Sequence, residues 1–474
     1  MLHTKPTALF DNAIDIDNPI FDTDSYKLSH YKMYAEGVDK SFAYIEPRKA
    51  YGDIDEVVFF GLQMELAKLQ GNIWTQTALN VAAPELLKYG YDINVKGIQK
   101  IIDTYGGRTP VRIDALPEGT VAPVSVPQVR VQTDDPDLVW LSSFLETRLL
   151  RAVWYPSTVA SISRYGLIEI KKRMLITDGH TEGVEFKFHD FGARGVSSFE
   201  TAGIGALAHL VNARGTDTSS ALIYGRNFYG ADTAGFSIPA SEHSIMTQLG
   251  REGERKMVAK VLEAYPSGLL ANVSDSYDHM DLVRNGYGKQ FREQILGRDG
   301  VFVVRPDSGD PLEIVLDTIA ALMESFGYTY TETGYKILPP QVRVIQGDGI
   351  GIKEMIEIMD AMMERGYAIG NIAFGMGGGL LQKVNRDMFG YAQKLSAVEI
   401  DGVWNDVFKD PITAGGTKTS KKGRLGVLRN DHGAMCTRPM ENIPKGYDAM
   451  VNVFDTGMIT RLQTFDQVRA NAAI

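Results

Sequence analysis

The chain has 474 residues, 44% of them hydrophobic and 23% charged, with a formal net charge of −10 and a single cysteine. These values exclude disordered, collagen-like and coiled-coil classes. The acidic balance speaks against a general nucleic-acid binder, which needs a basic face to neutralise phosphates. The lone Cys436 rules out an intramolecular disulfide and a cysteine-cluster metal site, and it fits a reducing compartment. No stretch approaches the roughly 18 apolar residues of a membrane span, so a cytoplasmic protein without membrane contact is expected.

In chain order, residues 41–133 mix short β-type runs with scattered prolines. Examples are the run from Val57 to Phe60 and the alternation from Val124 to Val131. Two proline-free stretches with helical spacing follow, residues 138–150 and 161–174. From about Glu185 to Phe374 the pattern becomes short apolar strands that end abruptly in polar or glycine-rich residues and lead into helices. The strands are expected at 186–188, 236–238, 270–273, 301–304, 342–345 and 372–374. Repeated βα units without an initial GxGxxG favour an α/β barrel, which gathers its chemistry at the carboxyl ends of its strands. Residues from about Val384 onward return to β-and-loop composition, with a basic stretch from Lys418 to Arg424.

Arg305-Pro306-Asp307-Ser308-Gly309-Asp310-Pro311 follows a buried strand directly. A guanidinium there suits a phosphate and a carboxylate suits Mg²⁺, while a self-satisfied Arg–Asp ion pair fits the same residues equally well. Gly347-Asp348-Gly349 and the glycines from Gly375 to Gly379 give backbone amides close access to an anion, although tight turns use glycine as readily. Asp190, Asp217, Asp275 and Asp278 occupy other strand ends, with His243 nearby. A GxxxxGK[ST] phosphate loop and an HExxH zinc motif are both missing from the sequence, so neither a P-loop kinase nor a zinc enzyme is expected. Together the acidic strand ends and phosphate-ready groups point to a magnesium–phosphate substrate.

Several longer strings occur in one order: Asp24-Ser-Tyr-Lys27, His189-Asp-Phe-Gly-Ala-Arg-Gly195, Gly215-Thr-Asp217 and Ser274-Asp-Ser-Tyr-Asp278. Arg305-Pro-Asp-Ser-Gly309, Val344-Ile-Gln-Gly-Asp-Gly349 and Gly377-Gly-Gly-Leu-Leu-Gln-Lys383 complete the set. From Asp24 onward the chain resembles the nicotinamide phosphoribosyltransferase family of type II phosphoribosyltransferases. Ala193 stands where the family pattern has an aromatic residue.

The resemblance implies an irregular TIM-like α/β barrel over residues 151–385. It also implies a second, β-rich α+β domain built from residues 1–150 and 386–474. It implies a homodimer with shared active sites, joining nicotinamide to phosphoribosyl pyrophosphate with Mg²⁺ and coupling ATP through a phosphohistidine at His243. Phe191 and the partner's Tyr26 would sandwich the pyridine ring. Arg194 and Arg305 would serve the nicotinamide end and the ribose or diphosphate, with Ser274 and Arg343 as further substrate contacts. Asp278 and Asp307 would hold the metal or ribose hydroxyls. Gly347 and Asp348 would face the ribose, and Gly377, Gly378 and Arg386 the 5′-phosphate. Arg48, Lys394, Lys409 and Lys418 would bind ATP or diphosphate. Asp217 would choose the base, since a carboxylate accepts from a carboxamide NH₂ and repels nicotinate. A nicotinate phosphoribosyltransferase and a non-catalytic binder on the same scaffold are the competing expectations.

Overall fold

The computed structural model describes residues 13–411 and 420–474, and Lys418 lies outside the described residues. The chain divides into two compact units, one of residues 1–154 and 386–463, the other of residues 155–385 and 464–474. Residues 464–474, expected with the smaller domain, therefore belong to the barrel unit.

The first unit is built on a seven-stranded sheet in the order Val403–Asp406, Ala392–Ile400, Val38–Glu46, Val129–Thr133, Arg112–Ala115, Val451–Asp455, Met458–Ile459. Its amino- and carboxyl-terminal segments interleave, because Val38–Glu46 pairs antiparallel with Ala392–Ile400 and sets Tyr44 opposite Lys394. Phe42, Ala43, Tyr44 and Ile45 are all buried, so this strand is covered on both faces. The alternation beginning at Val124 forms a strand only from Val129 to Thr133, because Ser125 takes a left-handed conformation with φ of 65° that interrupts the run. Three helices occupy what reads as a β-rich region: Leu62–Leu69, Gln76–Tyr89 and Val95–Tyr105. The second carries an internal proline, Pro84, and starts on Thr75, whose hydroxyl accepts from the Ala78 amide.

The second unit contains six parallel strands: β1 (Phe188–Asp190), β2 (Gly215–Thr216), β3 (Leu270–Val273), β4 (Phe302–Arg305), β5 (Val342–Gln346) and β6 (Ile372–Met376). Their spatial order is β2-β1-β6-β5-β4-β3. The two edges are joined by residues 236–240, where Phe236 bridges Gly215 and Ala240 bridges Ala271, both in parallel sense. The sheet thus curls into an irregular barrel. The joining segment makes isolated bridges instead of a ladder because Pro239 has no N–H to donate; its carbonyl accepts from the Ala271 amide at 2.9 Å. Ala271, Val303 and Ile345 form a buried cluster with Ile238, Ala373 and Phe191 packed against it.

Helices α1 (Glu146–Thr177, in this unit from Tyr155 onward), α2 (Phe199–His209), α3 (Ser220–Tyr229), α4 (Gly250–Ala264), α5 (Pro311–Phe326) and α6 (Ile352–Glu364) alternate with the strands. The two helical stretches read between residues 138 and 174 are largely one helix. α1 runs through Pro156, with buried Val159, Ala160 and Ile162 holding the chain helical beyond it. α5 shows why such segments are helices. Asp310 caps it by accepting from the Leu312 and Glu313 amides, Pro311 takes the first turn, and Val315, Leu316, Ile319, Leu322 and Phe326 form its buried stripe. Full burial of such side chains contributes about 1.5–3 kcal/mol each.

Under β1, His209 is completely buried, with Nδ1 2.7 Å from Ser163 Oγ and Nε2 3.1 Å from the Phe188 carbonyl. Burial, and secondarily the nearby His189, push its pKa down to about 3. In the unfolded chain this imidazole takes up a proton as pH falls through about 6.5, and in the folded protein only near 3. Stability should therefore fall between those values, by up to about 1.4 kcal/mol per pH unit from this group. Denaturant midpoints measured from pH 7 to pH 5 check this. His209→Gln should flatten the slope, and an identical slope in the variant would refute the assignment.

Candidate active site

Because all six strands run in parallel, their carboxyl ends share one mouth of the barrel, and that mouth collects most of the residues singled out from the sequence. Asp190 closes β1 and is fully buried. Its carboxylate accepts from the Gly192 amide at 2.7 Å and from the hydroxyls of Thr216 at 2.8 Å and Thr218 at 2.5 Å. Its carbonyl accepts from the Asp217 amide at 2.9 Å. Burial pushes this carboxyl above the usual range and the three donors pull it back only in part. One residue thus anchors both the 191–195 loop and the turn that carries Asp217. Asp217 is exposed, and its Oδ1 accepts from Ser237 Oγ at 2.7 Å.

Phe191 shows what the glycines are for. A Cβ at Gly375 would stand 2.0 Å from the Phe191 ring and one at Gly347 would stand 2.7 Å from it. Only bare backbone fits beneath the aromatic face. The ring is half-buried against the apolar interior of the barrel, and the Phe191 amide donates to the Met376 carbonyl at 3.0 Å. A Cβ at Gly377 would lie 3.3 Å from the Phe191 carbonyl oxygen, so this glycine also lets the loop pass close by. Gly378 follows in the short turn Gly378–Leu381.

At the ends of β3 and β4, His243 places Nε2 2.9 Å from Asp275 Oδ1 and Nδ1 3.9 Å from Asp307 Oδ2. Burial works to raise the Asp275 carboxyl, but hydrogen bonds from Ser308 and His243 prevail and hold it below the usual range. Asp307 goes the other way: burial, Asp275 and Asp348 raise it against the pull of Arg305 and His243. The Arg305 Nε lies 3.7 Å from Asp307 Oδ1, too far for a hydrogen bond, and is buried without a partner. The two charges therefore pair only loosely, and the pair leaves the Arg305 donor unsatisfied. An orphaned guanidinium donor beside a carboxylate crowded by other carboxylates fits a phosphate and a divalent cation.

Other expected residues are placed differently. Asp278 is exposed and spends Oδ1 on the Asp281 amide at 2.9 Å, capping the turn His279–Asp281. Among the described residues no group of three or more His, Cys, Asp and Glu side chains is set to hold a metal by itself. Ser274 is buried with its Oγ 3.0 Å from the Arg305 carbonyl. Asp348 is exposed, its turn held by a hydrogen bond from Gln346 Nε2 to the Asp348 carbonyl at 2.9 Å, and Arg194 is exposed on its loop. Arg343 requires a correction. It lies at the start of β5, at the opposite end of the barrel, where Nη1 donates to the Pro339 carbonyl at 2.8 Å and the Val342 carbonyl at 2.6 Å. Asp275, which the sequence marks only as one acid among several, is the residue that holds His243.

In the first unit, Tyr26 is 56% exposed with the Lys27 ammonium 5.3 Å from its ring centre. Arg48 donates through Nε to the Gly390 carbonyl at 2.7 Å. Burial, helped by the charges of Arg48, Lys409 and Lys27, pushes the Lys394 ammonium below its ordinary pKa. Arg48, Lys394 and Lys409 therefore share one cationic field. Glu46, which did not stand out in the sequence, is buried beside it and paired with Lys421 of the basic stretch. Arg386 is exposed, 3.4 Å from Asp387.

Residues 186–456 match the nicotinate phosphoribosyltransferase (NAPRTase) family, and residues 18–113 match the nicotinamide phosphoribosyltransferase N-terminal domain. The chain is 43% identical to the nicotinamide phosphoribosyltransferase of Xanthomonas campestris pv. campestris (strain 8004), over 96% of this chain and 98% of that protein. It is 31% identical to the nicotinamide phosphoribosyltransferase of Acinetobacter baylyi, over 96% and 97%. Its fold is shared with the nicotinate-nucleotide pyrophosphorylase of Pyrococcus furiosus at a TM-score of 0.61 and 16% identity, covering 98% of this chain and 97% of that one. Human nicotinic acid phosphoribosyltransferase follows at 0.54 and 16%, covering 95% and 92%. No helix among the described residues is long and apolar enough to cross a membrane. The chain belongs to the nicotinate phosphoribosyltransferase family, and within it to the nicotinamide phosphoribosyltransferases.

Proposed function

We propose that the protein joins nicotinamide to phosphoribosyl pyrophosphate, forming nicotinamide mononucleotide and diphosphate in NAD salvage. The observation that carries this reading is the mouth of the barrel. There an aromatic face backed by bare glycine lies at one side, and an unpartnered Arg305 donor with a crowded Asp307 lies at the other. The pyridine nitrogen is already a nucleophile, so no general base is required. The difficulty is expelling diphosphate from C1 of the ribose while positive charge grows there, and positioning and electrostatics must supply the acceleration. Phe191 would stack the base against one wall. Arg305 would draw the departing diphosphate, and the carboxylates of Asp307 and Asp348 would favour the cationic ribose. Asp307 and Asp278 would hold Mg²⁺, which when bound supplies positive charge to the leaving group. Asp275 would hold the His243 imidazole by one nitrogen and leave the other for a phosphoryl group from ATP.

A second copy of the chain would complete the site. Its Tyr26 would cover the free face of the base, and its Arg48, Lys394 and Lys409 would take ATP or diphosphate. The exposure of Tyr26 and the shared field of the three cations support this part of the reading. The protein is expected to act in the cytoplasm.

The choice of nicotinamide over nicotinate rests on Asp217, one of whose oxygens is committed to Ser237. The other would accept from a carboxamide NH₂ and repel a carboxylate. Diphosphate release should be fast with nicotinamide and slow with nicotinate. Asp217→Ser should move the ratio of kcat/KM values toward nicotinate by about 10- to 100-fold, the size of a lost or gained charged contact of about 1.5–3 kcal/mol. An unchanged ratio would remove Asp217 from base selection.

A further inference from the structure

The His243 side chain is 44% exposed, and of its two carboxylate neighbours only Asp275 stands within hydrogen-bond distance. A ring so open is aimed by its backbone. His243 opens the one-turn helix His243–Met246, which the chain enters through Ser241 and Glu242.

Asn272 grips this turn from both sides. It lies in β3 and is fully buried. Its neighbour Ala271 packs into the barrel interior with Val303 and Ile345, so the Asn272 side chain faces away from that interior. Its Nδ2 is 2.5 Å from Ser241 Oγ, two residues before His243, and 3.2 Å from Met246 Sδ, three residues after it. Ser241 is fastened to β3 through the backbone as well: its amide donates to the Ala271 carbonyl at 3.0 Å, and its Oγ accepts from the Val273 amide at 3.0 Å.

The far side of Asn272 is braced. Its Oδ1 accepts from the Tyr287 hydroxyl at 2.8 Å. Tyr287 is itself fully buried, with its ring edge-on to Phe302 of β4 at 5.0 Å. It sits in the π-helical stretch Leu282–Gln290, a geometry that is rare in general and frequent at functional sites. The linked groups are an amide, two hydroxyls and a thioether, so the clamp depends on no protonation state. Hydroxyls donate or accept, so it also stands whichever way the amide is turned. Asp275, which meets the His243 ring, is three residues beyond Asn272. β3 and the turn after it therefore fix both the backbone that carries His243 and the carboxylate that faces its ring.

We propose that Asn272 is a positioning residue for the coupling of ATP: braced by Tyr287, it clamps residues 241–246 to β3 and so presents His243 to ATP already aimed. This inference rests on the reading of His243 as the group that takes a phosphoryl from ATP. Asn272 faces away from the interior where Phe191 packs, so ATP coupling should feel the clamp and base binding should not.

The test uses two variants of the full-length protein. Tyr287→Phe removes one hydroxyl and keeps the ring in its packing, while Asn272→Leu removes both sides of the grip. With γ-labelled ATP, His243 should take up label about tenfold more slowly in Tyr287→Phe, the equivalent of one hydrogen bond. Asn272→Leu should slow it by about 10- to 100-fold, the scale of a reacting group displaced by roughly an ångström. Label that is lost in His243→Ala identifies the site. ATP-independent formation of nicotinamide mononucleotide and KM for nicotinamide should be unchanged in Tyr287→Phe. A loss falling equally on both activities, in proportion to lost folded protein, would overturn the proposal, and so would wild-type labelling in Asn272→Leu. Carbon-13 NMR of the His243 ring judges the clamp without ATP: a single sharp resonance that broadens or splits in Tyr287→Phe supports it, and an identical resonance in both proteins defeats it. A wild-type protein that takes no label would overturn the reading of His243 and with it the coupling, while the resonance would still decide whether Asn272 and Tyr287 hold that residue in place.

Discussion

Asp307→Ala is expected to lower kcat/KM for phosphoribosyl pyrophosphate by about 10²- to 10³-fold, the scale on which a preorganised electrostatic group contributes to a transition state. The fold should scarcely notice. Asp307 is partly exposed, stands 3.7 Å from Arg305 and 3.9 Å from His243, and carries a carboxyl that burial and two neighbouring acids already destabilise. Removing it relieves crowding, so the change in stability should stay within about 0.5 kcal/mol. Activity and thermal melting measured on one preparation separate the two effects. Near-normal turnover with intact melting would take Asp307 out of the reaction. If two copies share each site, mixing Asp307→Ala with Tyr26→Ala should regenerate part of the activity that each lacks alone.

Asp190→Ala should act through stability. The substitution leaves the Thr216 and Thr218 hydroxyls and the Gly192 amide without their common acceptor. Each buried orphan costs about 1–3 kcal/mol, partly offset because burying the carboxylate is itself unfavourable. A net loss of about 3 kcal/mol corresponds to a melting temperature lower by roughly 6–12 °C for a unit of this size. The same change frees the loop bearing Phe191 and the turn bearing Asp217, so KM for nicotinamide should rise even where the protein remains folded. Melting within 1 °C of the parent would show that the donors find other acceptors, and that Asp190 does not organise the mouth; that threshold is well below the roughly 2–4 °C expected per kcal/mol.

The legibility of the barrel follows from its physics. Strands buried on both faces read as short apolar runs, and the polar residues that stop them stand where substrates bind. That is why the ends of β1, β3, β4, β5 and β6 were placed within a residue or two. β2 escaped notice because it is only Gly215–Thr216, too short for any period. Its neighbouring join at residues 236–240 was seen as a strand although it makes only isolated bridges. Arg343 is expected at the mouth beside the motif that starts at Val344, yet it is the second residue of β5, and that position assigns it to the far end. Asp275 and Asn272 sit inside or beside a matched motif, and nothing in residue type reveals which acid will face a histidine or which amide will hold its turn. The helix Phe465–Asn471, which buries Phe465 and Val468, lies in a stretch that reads as β-and-loop, and seven residues at the end of such a stretch show neither the helix nor its packing with the barrel unit.

That last helix has a consequence for how the protein is made. The chain passes between its two units at residues 154–155, 385–386 and 463–464. Arg469, on the final segment, donates to the carbonyls of Leu210 at 3.0 Å and Ala234 at 2.6 Å in the barrel unit. During synthesis, therefore, the barrel still lacks one of its braces when its sixth strand emerges. The first unit likewise waits for strands that follow the barrel in sequence. No single cut separates the units, and neither has all its residues until those beyond 463, for the barrel unit, or beyond 385, for the first unit, have been made.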